Sequence, residues 1–451
     1  MTLPAKFVER VLRDLGGTEG AALCAALDAE PPVSVRLNPA KTGADTLPAG
    51  PDAGLPVPEA AGLPALAIAG RVPWSRDGRY LAVRPSFTLD PDFHAGAYYV
   101  QEASSQFVGH LLAAVRTEGA RILDLCAAPG GKTTLYASLA GPDGLVVANE
   151  IDRRRASVLA DNVRKWGTGN VAVTTCEPRA LGDFEAWFDV VAVDAPCSGE
   201  GMFRKDPDAR GEWSEGNVKQ CAARQDEILR EAWRALRPGG TLVYSTCTFN
   251  RDEDEGALER MAAWAGDEIA ESEETAVEDA WGIVCGRVGA FRTFRFYPHR
   301  TCGEGFFAAV ARKSFDAGGR VRAPKARRTV FAAVDRKTAG ELARWVRNPG
   351  GMHFAAVADT CYAWYAAQAD AVRTLSEALP VIYSGVALGQ VFKGVLKPDP
   401  ALAFFDGMNR GALPAAELDD EETLRFLRRQ DIAAGGLAEG MNLVCSRGRA
   451  L

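Results

Sequence analysis

The chain has 451 residues, 47% of them hydrophobic and 25% charged, with a formal net charge of −7. This exceeds the ~100 to 200 residues usual for one domain, so several domains with sizeable cores are expected. No run approaches the ~18 apolar residues of a membrane span, the N-terminal segment has no signal-peptide core, and the net acidity argues against binding a polyanion through overall charge.

Residues 1–90 read as a small α+β unit, with helices near 5–15 and 19–29, a short strand at VSVRLNPAK and a Pro/Gly/Ala-rich loop over 47–73. From about 91, strands and helices alternate: RILDLCAAPGG, KTTLYASLAG, LVVANEID, RRRASVLADNVRKWG, VAVTTCE and FDVVAVDAP. A helix over about 215–237 follows, with Val218, Ala222, Leu229, Trp233 and Leu236 at helical spacing and Pro238-Gly239-Gly240 as its stop. GTLVYSTCTF, AFRTFRFYPH and GFFAAVARK then close a domain spanning 91–313. This order predicts a doubly wound α/β fold on a parallel sheet.

The remainder divides into a basic linker with helical patterns (314–379) and a unit of short strands and turns (380–451). The linker carries RVRAPKARR (320–328), five basic residues without an acid; GELARWVRN and DTCYAWYAAQADAVRTLSEA look helical. The last segment reads as a closing strand with a basic tail. The acidic run DEDEGALERMAAWAGDEIAESEETAVEDA around and after Asp254 reads as a solvated helical face or loop. Ten cysteines without a CxxC pair, and four histidines, give neither a disulfide framework nor zinc-ligand spacing, so reduced thiols in a cytoplasmic protein without a metal are expected.

Two motifs carry chemistry. DLCAAPGGKTT (124–134) is a strand end, a glycine turn and a helix start, where backbone can approach a ligand closely and helix amides face a polar or anionic group. A phosphate-binding P-loop needs a glycine six residues before the lysine, and that position is Cys126. Glu150, at the end of the next strand, suits the two hydroxyls of a ribose. The second motif is a pair of thiols, Cys197 in DAPCSGEGMFRKDP and Cys247 in YSTCTF, each just past an apolar strand. Parallel strands would bring both to the carboxyl edge of one sheet, where open α/β sheets bind ligands. Either cysteine alone would be an ordinary buried thiol.

Together DLCAAPGGKTT, NEID followed by Arg and Asn at helical spacing, VDAPCSGEGMFRKDP and YSTCTFNRDEDE resemble the Sun-family RNA 5-methylcytosine methyltransferases, which use S-adenosylmethionine. VSVRLNPAK, YYVQEASSQ and GEGFFAAV extend the similarity over most of 1–313. GEGMFRKDP and the C-terminal extension look most like the subgroup acting on 16S ribosomal RNA of the small subunit. The resemblance implies a Rossmann-like methyltransferase core, an RNA-contacting N-terminal domain and a PUA-like RNA-binding C-terminal domain, in a monomer whose partner is ribosomal RNA or the small subunit. It makes Cys247 the nucleophile and Cys197 the group that assists product release. Asp194 then contacts the cytosine edge, and Lys205 belongs to that pocket or binds phosphate. Cys126, Ala127, Ala128, Pro129, Gly130, Gly131 and Lys132 would wrap the cofactor with Asp194 nearby, and Glu150 would hold its ribose. Where related sequences often carry an acid to bracket the adenine, this chain has TCEPRAL, which offers Glu177 and Pro178. The alternatives are a tRNA methyltransferase, an RNA-binding protein without catalysis on the same scaffold, and a P-loop ATPase.

Overall fold

A computed structural model describes residues 2–42, 63–432 and 436–451. Its centre is a ten-stranded sheet. Five strands are parallel: β1 (Arg121–Asp124), β2 (Leu145–Asn149), β3 (Val171–Thr174), β4 (Phe188–Asp194) and β5 (Leu236–Thr246). Three more, β6 (Val284–Val288), β7 (Phe291–Phe296) and β8 (Phe306–Lys313), continue antiparallel beyond β5. The spatial order β3-β2-β1-β4-β5 means that the chain winds outward from β1, then returns to lay β4 on its other side. The crevice between β1 and β4 is thus the switch point where such sheets bind ligands.

The strands are apolar on both faces because both faces are covered. Val190 and Ala192 join one core layer with Phe107, Tyr136 and Leu159, while Val191 and Val193 join the other with Leu229, Trp233 and Met261. The first layer includes helices α1 (Gly131–Ala140) and α2 (Arg153–Trp166); the second includes α3 (Glu215–Ala235). Helix α3 starts on a Ser214 cap and stops one residue before β5, close to the expected Pro-Gly-Gly stop.

The N-terminal unit is two helices (Ala5–Leu15 and Gly17–Leu27) and a four-stranded sheet whose last strand is Tyr98–Tyr99. Residues 47–62 of the expected loop lie outside the described residues. The rest of that stretch is not simply loop: Leu63 and Leu66 are buried, and Ile68–Arg71 pairs with Gly78–Leu81. The unit is fastened to the core by the motif Arg36-Leu37-Asn38-Pro39-Ala40-Lys41, whose three polar side chains all donate to core carbonyls. Arg36 reaches Gly131 O, Asn38 reaches Trp166 O, and Lys41 reaches Lys165 O. Asn38 and Lys41 therefore satisfy the last carbonyls of α2, which a helix cannot satisfy itself.

The C-terminal unit has a five-stranded antiparallel sheet, from Ala332–Ala333 to Val395–Pro398, and a three-stranded sheet ending at Arg449–Ala450. Thr360–Tyr365 is a strand of the first sheet, not the helix expected there; the helix starts at Ala369. Pairing with Met352–Val357 on one side and Val386–Phe392 on the other overrides the local pattern. Val381–Ser384 (β9) leaves this unit and pairs with β3, so the segment after 380 supplies an edge strand to the core. The basic tail is also engaged internally, since Arg447 and Arg449 both bind Asp92.

Asn38→Ala strands two buried carbonyls, Gly96 O and Trp166 O. It is expected to destabilise the fold by about 2–4 kcal/mol, seen as a lower thermal midpoint; an unchanged midpoint would show that the motif does not hold the unit to the core.

Candidate active site

The parallel register pairs Asp194 on β4 with Ser245 on β5. Cys197 and Cys247 follow three and two residues later, and their sulfurs lie 3.3 Å apart. All ten cysteines are free thiols. Their loops are locked together. Gly201 N donates to Cys247 O at 2.8 Å, the Ser198 and Thr248 hydroxyls are 3.0 Å apart, and Ser198 N donates to Glu253 Oε2 at 2.8 Å. Gly201 has no room for a side chain, because a Cβ would sit 2.4 Å from Gly305 O. Buried Glu200 binds the second loop through Phe249 N and reaches Arg10 and the Trp213 indole.

Cys197 is pushed well above the usual thiol range, first by its contact with Cys247 and then by burial, so it stays protonated at neutral pH. The remaining groups come from the ends of β1, β2, β4 and β5 and from the start of α1. Lys132, opening α1, forms an ion pair with Asp194 at 2.9 Å and lies over the Phe306 ring. Burial alone would lower the Lys132 ammonium, but Asp194, with Asp124 and Cys247 adding to it, more than offsets burial and holds the group above the ordinary lysine range. Ser245 Oγ donates to the other Asp194 oxygen at 2.8 Å. Asp124 is pushed up to about 7 by burial, against the hydrogen bond from Thr133.

Buried Glu150 accepts from Asp152 N and pairs with Arg155 at 3.2 Å. The turn from Cys126 to Lys132 lies between Glu150 and Asp194, with Ala127 N bound to Asn149 O. Cys126, half-buried, has its thiol raised by burial. Glu177 is exposed on the loop after β3 with Pro178 opening a short helix, and Asn149 holds the neighbouring Cys176 backbone. Lys205 is exposed on the Cys197 loop, close enough to Glu304 to act on its charge. The structure therefore brings the turn, Glu150, Asp194 and both cysteines to one sheet edge, with Lys205 and Glu177 on the surface.

The acidic run is a correction. Glu253 and Asp254 are fully buried rather than solvated. Asp254 pairs with buried Arg295 at 2.9 Å and takes a hydrogen bond from Thr246, fixing the end of β5; Glu253 holds the Cys197 loop. Nothing in DEDE separates these two acids from exposed Asp252 and half-buried Glu255, since the selecting partners lie 41 and 55 residues away along the chain.

Among the described residues no helix is long and apolar enough to cross a membrane. A family model described as 16S rRNA methyltransferase RsmB/F matches residues 111–312, and one described as the N-terminal domain of 16S rRNA methyltransferase RsmF matches 3–103. The ribosomal RNA small subunit methyltransferase F of Shewanella loihica is 36% identical over 278 residues, covering 59% of this chain and 56% of that protein. Its counterpart in Enterobacter sp. is 37% identical over 249 residues, covering 54% and 51%. The match spans about half the length of these curated relatives. A solved methyltransferase homolog protein from Pyrococcus horikoshii is 26% identical with a TM-score of 0.54, covering 69% of this chain and all of that one.

Burial pushes the Glu253 carboxyl up to about 7 from 4.5. The folded state therefore keeps a proton that the unfolded state has lost, so this group's contribution to stability is complete below pH 4.5 and disappears as pH rises through 7. Glu253→Gln stays neutral throughout. Between pH 5 and 8 the wild type is expected to lose on the order of 2–3 kcal/mol more stability than the variant in urea melts; parallel pH profiles would show that Glu253 is not the titrating group.

Proposed function

We propose that this chain, whose residues 111–312 match the 16S rRNA methyltransferase RsmB/F model and 3–103 the RsmF N-terminal domain, is a member of that family and transfers a methyl group from S-adenosylmethionine to carbon 5 of a cytosine in small-subunit ribosomal RNA. The observation that carries this reading is the pair of cysteine sulfurs, 3.3 Å apart past the carboxyl ends of β4 and β5, next to the switch point of the sheet.

The residues present fit the cofactor. Asp124 has a buried carboxylate oxygen without a partner in the wall of the turn, and Gly130 adopts a φ of +111°. A Cβ at Gly131 would lie 3.3 Å from the Tyr99 ring. Cys126 through Lys132 would wrap the cofactor, Glu150 would take its ribose, and Glu177 and Pro178 would bracket its adenine. The bound cofactor supplies an electrophilic methyl group on its sulfonium.

Carbon 5 of cytosine is a poor nucleophile until a thiolate adds at carbon 6. Cys247 makes that bond, and an electron pair of the ring then becomes available at carbon 5. The resemblance assigns the attack to Cys247, and Cys197, 3.3 Å away, is positioned to assist release once the carbon 5 proton has gone. Asp194 keeps about a third of its side chain exposed although it binds Lys132 and Ser245, so it is available to the cytosine edge. Lys205 is assigned to backbone phosphate. Cys247→Ala is expected to abolish transfer without trapping RNA, whereas Cys197→Ala accumulates a protein–RNA adduct that survives denaturing gels. The reverse pattern would exchange the two roles; no adduct with either would sink the covalent mechanism.

RNA docking falls to the C-terminal unit, proposed as PUA-like. Phe392 and Val395, 70% and 64% exposed, are cross-strand neighbours on a hairpin turned by Lys393 and Gly394, both with positive φ. Lys393 and Lys397 are exposed beside them. Exposed aromatic and basic side chains together suit a stacked, unpaired base with its phosphates. Deleting everything after 315 would strip β9 from the core, so point variants test this better. Phe392→Ala is expected to weaken binding of single-stranded ribosomal RNA fragments about 5- to 100-fold, with cofactor affinity unchanged. Equal RNA affinity at matched salt would move docking elsewhere.

A further inference from the structure

Arg36 of the N-terminal sheet carries a charge that its surroundings do not neutralise. It is 1% exposed. Its guanidinium donates to Gln101 Oε1 at 2.7 Å, Gly131 O at 3.0 Å and Thr134 Oγ1 at 2.6 Å, and lies 4.4 Å from the centre of the Trp166 ring. All four are neutral partners, and Asp77 acts on it only through its longer-range field. Burial brings the guanidinium down to about 10, so it remains charged at neutral pH. An unpaired buried cation is costly, and its persistence points to a counter-charge that arrives from outside the chain.

Two of its contacts are to the first turn of α1, a ten-residue helix whose N-terminal amides already favour an anion. The other cations near this turn are engaged, Lys132 with Asp194 and Arg155 with Glu150. The only anionic group of S-adenosylmethionine is its amino-acid carboxylate. We propose that Arg36 is the charge partner of that carboxylate, a positioning residue supplied by the N-terminal unit that acts through the Gly131 turn. The inference rests on the methyltransferase reading. It makes the N-terminal unit part of the cofactor site, not only a surface for RNA.

The test compares calorimetric affinities of the full chain for S-adenosylmethionine and for its decarboxylated form. Arg36→Met is expected to weaken the first about 10- to 50-fold and the second by less than about 3-fold, so that the wild-type preference for the carboxylate collapses. Arg36→Lys keeps the charge and should retain most of that preference, which preserves the test if the methionine variant does not fold. Equal loss for both ligands in Arg36→Met would mean that Arg36 only shapes the turn, and a collapsed preference in Arg36→Lys would likewise overturn the proposal. Wild-type protein that binds the cofactor without preferring the carboxylate form also overturns it. Wild-type protein that binds neither ligand would instead refute the methyltransferase reading on which it rests.

Discussion

Parallel pairing of β4 with β5 is the constraint on which the site depends. A strand pair of fixed register delivers its C-terminal loops side by side, and the match of Asp194 with Ser245 leaves Cys197 and Cys247 only three and two residues to travel before they meet. A one-residue slip would send alternate side chains to the wrong core layer, so the packing of Val191 and Val193 against one layer and Val190 and Ala192 against the other also fixes the thiol geometry. Stability and chemistry are set by the same register.

Around that pair the protein places buried polar groups, which are expensive unless each finds a partner. Glu200 and Glu253 each hold a loop end by accepting from groups distant in the chain, and Asp254 does so through its ion pair with Arg295. Two interlocked loops give less freedom to the sulfur positions than two independent ones would. The proposed nucleophile and its helper would gain from that rigidity, because reactivity depends on distances of a few tenths of an ångström.

The outer units attach by a different device. Arg36, Asn38 and Lys41 all donate to backbone carbonyls of the core, two of them at the C-terminal end of α2, where the helix has acceptors to spare. The C-terminal tail attaches by charge, with Arg447 and Arg449 on Asp92. These arginines are thereby drawn into internal pairs, and exposed basic groups such as Lys393 and Lys397 are left for a polyanion. The net acidity of the chain therefore says little about the surface proposed to meet RNA.

The alternation of apolar strands with amphipathic helices determined the doubly wound core, since that period depends only on local side chains. The motifs likewise located the glycine turn, Glu150, Asp194 and both cysteines, because each lies within a few residues of a strand end. What tertiary structure alone decided were partnerships across long separations. Thr360–Tyr365 became a strand because two neighbours flank it, and β9 joined the core although its sequence reads like the strands that follow it. Within one acidic run, Glu253 and Asp254 were buried because Ser198 and Arg295 come to meet them. Arg36 reads as an ordinary basic residue in a strand until the fold encloses it beside Gly131. Local sequence encodes periodicity and turn chemistry, but the partner that makes a buried charge tolerable is chosen by the packing of distant segments.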